Sequence, residues 1–113
     1  MSAPRIELLW WEGCPSTERA LEELRAAISE LGLAGAEVWT REIKTEDAAA
    51  VAGFRGSPTI LIDGVDAVGA ELDEPTGLTC RVYRRRDGRI SPTPDPDDLR
   101  EALRRAAART EVS

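Results

Sequence analysis

Leu9-Trp10-Trp11-Glu12-Gly13-Cys14-Pro15-Ser16-Thr17 sits where an apolar segment gives way to a long amphipathic one. Upstream, Ile6, Leu8 and Trp10 share one face of an extended chain, and Leu9 and Trp11 share the other. Apolar residues on both faces indicate a strand inside a sheet covered on both sides. Gly13 breaks the strand, and Pro15 suits the first turn of a helix, where its missing N–H is not needed. Downstream, Ala20, Leu21, Leu24, Ala27, Ile28 and Leu31 form one stripe at helical spacing. Glu18, Glu22, Glu23, Arg25 and Glu30 take the polar side, and Gly32 provides a C-terminal cap. The helix is expected over about 15–31. Cys14 then falls at a helix N-terminus, where free N–H groups and the helix dipole favour a thiolate.

The same reasoning extends along the chain. Residues 36–43 suit a second strand, with Val38, Trp39 and Thr40 favouring extended backbone. Thr45 can cap a short helix from Glu46 to Ala52, closed by Gly53. Residues 58–62 form a third strand, ended by the Asp63-Gly64 turn. The stretch 64–78 has no clear period and is expected as a loop, long enough to suggest a functional one. Residues 80–85 alternate as a fourth strand, and Asp87-Gly88 makes a turn. Asp95, followed by Pro96, Asp97 and Asp98, starts a last helix whose stripe is Leu99, Ala102, Leu103 and Ala106. The tail from about Arg109 is expected to fray. The first two strands, joined by a helix, make a right-handed parallel unit, and the third and fourth pair antiparallel. The expectation is one α/β domain, a mixed four-stranded sheet flanked by helices on both faces.

Composition bounds the chemistry. The chain has 113 residues, 42% apolar and 32% charged, with a net charge of −6. This is a soluble single-domain composition and not a nucleic-acid surface. Arg84-Arg85-Arg86 reads as a solvated strand end. There is no histidine and there are only two cysteines. This excludes Ser–His and Cys–His nucleophile pairs, His metal ligands and four-Cys zinc, so no metal site is expected. No basic start followed by an apolar run marks a secretory leader. No stretch nears the roughly 20 apolar residues of a membrane span. The cytoplasm is the expected compartment, where two cysteines are normally free thiols unless redox-active.

Two motifs in this element order resemble the thioredoxin superfamily over roughly residues 5–107. Gly13-Cys14-Pro15-Ser16-Thr17 matches its Cys-x-x-x active-site motif between first strand and first helix. Phe54-Arg55-Gly56-Ser57-Pro58-Thr59 matches its segment ending in Pro-Thr at the third strand. The resemblance implies a thioredoxin-like fold and makes Pro58 a cis-proline beside the Cys14 thiol. It also implies that Ser57 and Thr59 offer backbone groups to an extended peptide or to glutathione as an added strand.

Two departures matter. Thr17 stands where a second active-site cysteine would, so no neighbouring thiol resolves a mixed disulfide, as in monothiol glutaredoxins. Leu8 stands where thioredoxins carry a buried Asp. Thr17 can donate its hydroxyl to a Cys14 thiolate, whereas Glu12 and Glu18 would oppose ionisation. Trp11 and Pro15 border the thiol and a substrate groove, and Arg55 is a candidate for an anionic substrate group such as a glutathione carboxylate.

Cys80, if it starts the fourth strand at the far end of the third, lies more than about 10 Å from Pro58. That is too far for a disulfide, which needs Cα atoms within about 7 Å. The alternative is that the 64–78 loop folds back, or that residues 65–68 are the true fourth strand, and Cys80 arrives as a remote second thiol. The leading expectation is a monothiol thiol–disulfide oxidoreductase with Cys14 as nucleophile, Cys14 and Thr17 at the reacting centre, and Trp11, Pro15, Ser57, Pro58 and Thr59 at the substrate. It would use no bound cofactor, with glutathione as an optional co-substrate. The partner would be a protein or low-molecular-weight thiol or disulfide, with neither nucleic acid nor membrane, on a monomer or weak homodimer. The rivals are a non-enzymatic binding module of the same fold, or a thiol protein handling a soft metal or organomercurial.

Overall fold

A computed structural model describes residues 4–33, 35–68 and 75–112, without the side chains of 109–112. Its elements are β1 (Ile6–Trp10), α1 (Thr17–Glu30), β2 (Val38–Glu42), α2 (Glu46–Ala52), β3 (Thr59–Ile62), β4 (Val65–Asp66), β5 (Tyr83–Arg84), β6 (Ile90–Ser91) and α3 (Pro96–Val112). The fold is α/β. Four strands form one mixed sheet in the order β2-β1-β3-β4. β1 runs parallel to β2 and antiparallel to β3, with Leu8 opposite Thr40 on one side and Ile60 on the other.

The two-sided pattern of β1 explains its central place. Ile6 and Leu8, fully buried, meet Leu24, Ala27 and Ile28 of α1 and Leu99, Leu103 and Ala106 of α3. Leu9 points the other way, onto Ile43, Phe54 and Ala49 of α2. Helices therefore cover both faces. Truncating a fully buried leucine such as Leu24 or Leu103 to alanine costs about 2–5 kcal/mol, transfer and cavity together.

Local signals account for the helix ends. The Thr45 hydroxyl accepts the Ala48 N–H at 3.0 Å, and Gly53 closes α2 at φ 67°. The Asp95 carboxylate accepts the Asp97 N–H at 2.8 Å at the start of α3. α1 begins at Thr17 with Ser16 at its N-cap, so Pro15 belongs to the preceding turn instead of the first helical turn.

The fourth strand is not 80–85. Asp63 and Gly64 both take positive φ, 53° and 82°. That is the two-residue hairpin turn whose twist suits antiparallel strands. The chain therefore returns at once, and Val65 and Asp66 pair with Ile62 and Leu61. A two-residue strand shows no period in sequence. Tyr83–Arg84 pairs instead with Ile90–Ser91 in a separate ribbon. Of the expected 64–78 loop, residues 69–74 lie outside the described residues. Among the described residues no helix is long and apolar enough to cross a membrane.

Candidate active site

Cys14 is held by the turn that leaves β1. Its N–H donates to the Trp11 carbonyl at 3.0 Å. The Trp11 ring lies so close over Gly13 that a Cβ there would come within 2.4 Å of it. The Trp11 N–H donates to the Ser57 hydroxyl at 3.0 Å, tying this turn to the segment before β3. Cys14 itself is only 6% exposed, and its Sγ donates to the Ser57 carbonyl at 3.3 Å.

The Ser57–Pro58 peptide bond is cis. Ser57, Pro58 and Thr59 are all buried. The Thr59 hydroxyl donates to the Gly56 carbonyl at 2.6 Å, and the Tyr83 hydroxyl donates to the Pro58 carbonyl. Cys14 and Pro58 therefore meet through Ser57.

Cys80 is not at the far end of a strand. It stands opposite Ser57 in a parallel bridge. The Ser57 N–H donates to the Thr79 carbonyl at 2.8 Å, and the Arg81 N–H donates to the Ser57 carbonyl at 2.8 Å. The physical reason lies in β4. Because the sheet is completed at Asp66, the chain past it is free to return along the segment before β3. Further bonds hold it there, from the Gly77 N–H to the Phe54 carbonyl and from the Leu78 N–H to the Glu46 carboxylate.

The ionisation of the two thiols follows from this placement. Burial pushes the Cys14 thiol up. The Ser16 N–H, the Cys80 thiol and the Ser57 and Ser16 hydroxyls outweigh it and hold Cys14 below the usual thiol range. Burial pushes the Cys80 thiol up, and the neighbouring Cys14 sulfur adds to the rise through its hydrogen bond and its charge. Cys14 is thus the better thiolate and Cys80 the better proton donor.

Arg81 anchors the returning segment. Its guanidinium takes both Asp66 carboxylate oxygens, at 2.6 and 3.2 Å, and lies 4.6 Å over the Tyr83 ring. The side chains of Arg81 and Asp66 are 7% and 17% exposed. Gly56, at φ 134°, makes the approach feasible, since a Cβ there would sit 2.8 Å from the Arg81 Cβ and 2.9 Å from its Cα and N.

The remaining expected residues are placed as follows. Among the described residues the Thr17 hydroxyl is buried without a hydrogen-bond partner, and the Ser16 N–H and hydroxyl are among the groups that lower the Cys14 pKa. Ser57 does not offer free backbone groups for an added strand, because Thr79 and Arg81 already use them. Arg55 donates to the Gly53 carbonyl at 3.2 Å. Pro15 is exposed beside Cys14, and Trp11 lines an open groove of about 530 Å³ with Trp10, Glu12, Glu42, Ile43 and Lys44. Arg84 and Arg86 are exposed, with Arg86 paired to Asp98 and Glu101. Among the described residues no group of three or more His, Cys, Asp or Glu side chains is placed to hold a metal.

Ser16, Gly56, Asp66, Arg81 and Tyr83 complete the site without having been singled out from sequence. Gly56 carried a signal, as a glycine two residues before Pro58. The Asp66–Arg81 pair did not, because many opposite charges in this chain are as far apart.

The chain matches no protein-family model, no curated protein and no solved structure.

Proposed function

We propose that this is a thioredoxin-like protein that carries out thiol–disulfide exchange with Cys14 as its nucleophile. The observation that carries the reading is the Cys14 sulfur, 3.3 Å from the Ser57 carbonyl on the cis Ser57–Pro58 turn, with its pKa lowered below the usual thiol range. The strand order β2-β1-β3-β4, with β3 antiparallel to β1, supports the thioredoxin-like assignment. The cytoplasm, where free thiols stay reduced, suits the chemistry.

In the reaction the Cys14 thiolate attacks one sulfur of a disulfide RS–SR. A Cys14–SR mixed disulfide forms, and the other sulfur leaves as RS⁻ and takes a proton from water. The Ser16 N–H and the Ser57 hydroxyl stabilise the attacking anion beforehand. Pro15, the residue after Cys14, is exposed. A small or flexible disulfide suits this site better than a rigid strand, because Thr79 and Arg81 already occupy the Ser57 backbone groups.

The test is reduction of a small mixed disulfide with glutathione as the terminal reductant. Cys14→Ser is expected to abolish turnover. Full turnover by a folded Cys14→Ser variant would overturn the proposal and favour a binding module.

A further inference from the structure

We propose that Cys80 is the second redox thiol of this site and closes a reversible disulfide with Cys14. The inference rests on Cys14 as the exchanging thiol and supplies the partner that the helix lacks at Thr17.

The geometry is built around one carbonyl. The Ser57 oxygen accepts both the Cys14 thiol, at 3.3 Å, and the Arg81 N–H, at 2.8 Å. Cys80 is the residue between Thr79 and Arg81, the two that bracket Ser57. A residue bridged to Ser57 in this way is carried alongside whatever Ser57 holds, which here is the Cys14 sulfur. Cys80 is exposed, so its sulfur is also reachable from solvent. The segment is fixed independently of either thiol, by the Arg81–Asp66 pair and by the bare Cα of Gly56. A merely structural cysteine is usually buried in apolar surroundings, whereas this one is surface-facing and strapped to the turn that holds the reactive thiol.

The reaction balances as follows. After the first exchange the protein carries Cys14–S–SR. The Cys80 thiol gives its proton to solvent and its sulfur attacks the Cys14 sulfur. The Cys14–Cys80 bond forms, the Cys14–SR bond breaks, and RS⁻ leaves and is protonated. The protein dithiol is oxidised by two electrons, and the original RS–SR is reduced to two RSH. An external thiol reductant, of low molecular weight or a dithiol protein, returns the pair to the reduced state. The timing is favourable. The negative charge on Cys14 that helps keep Cys80 protonated is gone once the mixed disulfide has formed.

The test is to treat the reduced full chain with an equimolar amount of dithiobis(nitrobenzoate), in the wild type, Cys80→Ser and Cys14→Ser forms. Wild type is expected to release two thionitrobenzoate ions per reagent and to end as a monomer lighter by two hydrogens, with Cys14 and Cys80 cross-linked in one peptide pair. Cys80→Ser is expected to release one ion and keep a stable adduct on Cys14, half the wild-type release. Cys14→Ser is expected to react slowly. A stable Cys14 adduct in wild type, with no loss of the second ion, would overturn the inference and leave Cys14 as a monothiol nucleophile. If Cys14 in the Cys80→Ser variant reacts no faster than Cys80 in Cys14→Ser, the reading of Cys14 fails as well.

Discussion

Cys80 stands across from Ser57 in a parallel bridge, on the residue whose carbonyl also accepts the Cys14 thiol. The two cysteines of the chain therefore meet at one turn, although one leaves the first strand and the other follows the fourth. Their shared surroundings set opposite tendencies, a lowered pKa and readier ionisation for Cys14 and a raised pKa for Cys80.

Gly56→Ala is expected to damage this meeting point. The added methyl would lie 2.9 Å from the Arg81 backbone, and φ 134° is a region that side-chain-bearing residues rarely adopt. The backbone conflict alone costs about 1–3 kcal/mol. Urea denaturation should show a loss of this order, and cross-linking of Cys14 to Cys80 should fall with it. An unchanged midpoint would mean that the 79–81 segment lies elsewhere.

Asp66→Asn removes from Arg81, whose side chain is 7% exposed, the carboxylate charge that faces its guanidinium at 2.6 Å. Breaking one side of a buried pair costs about 3–5 kcal/mol, whereas replacing both sides with apolar groups is often close to neutral. The expected outcome is that Asp66→Asn is clearly less stable than the Asp66→Leu/Arg81→Met double variant. Equal losses in the two would show that the pair is effectively solvated.

The single tyrosine offers a clean optical probe. Tyr83 donates to the Pro58 carbonyl, and burial pushes its hydroxyl well above the ordinary tyrosine value of about 10. The tyrosinate band should stay absent in the folded protein at pH values where a free tyrosine is fully ionised. Titration near pH 10 while the far-ultraviolet spectrum is still native would contradict the contact.

Much of this was legible in the sequence because it depends on local patterns. The stripe from Ala20 to Leu31, the Thr45 and Gly53 caps and the two-sided β1 each report their own surroundings. Cys14 and the cis Ser57–Pro58 bond were legible through a motif resemblance. The position of Cys80 was not. It depends on whether the sheet is completed at 65–66 or at 80–85, and Val65-Asp66 is too short to show an alternating pattern. One hairpin turn, Asp63-Gly64, decides it through two positive φ values. The Arg81–Asp66 pair is likewise a tertiary fact, set by where the returning segment lies.

Cys80 also helps to ionise Cys14, since its thiol is among the groups that hold Cys14 below the usual thiol range. Removing that group disfavours the thiolate. In Cys80→Ala the midpoint of the Cys14 alkylation profile should therefore move to higher pH than in wild type. A midpoint that stays put, or falls, would mean that the two sulfurs do not interact in the reduced protein.

The most direct measurement is the rate of Cys14 alkylation by iodoacetamide as a function of pH, with Cys14 and Cys80 followed on separate peptides. Only the thiolate reacts, so the midpoint of the profile reports the ionisation of Cys14 in the folded chain. The expected result is a Cys14 midpoint clearly below the ordinary thiol value of about 8.5, with Cys80 titrating above it. A Cys14 midpoint at or above about 8.5, with slow alkylation at neutral pH, would contradict Cys14 as the nucleophile of this protein.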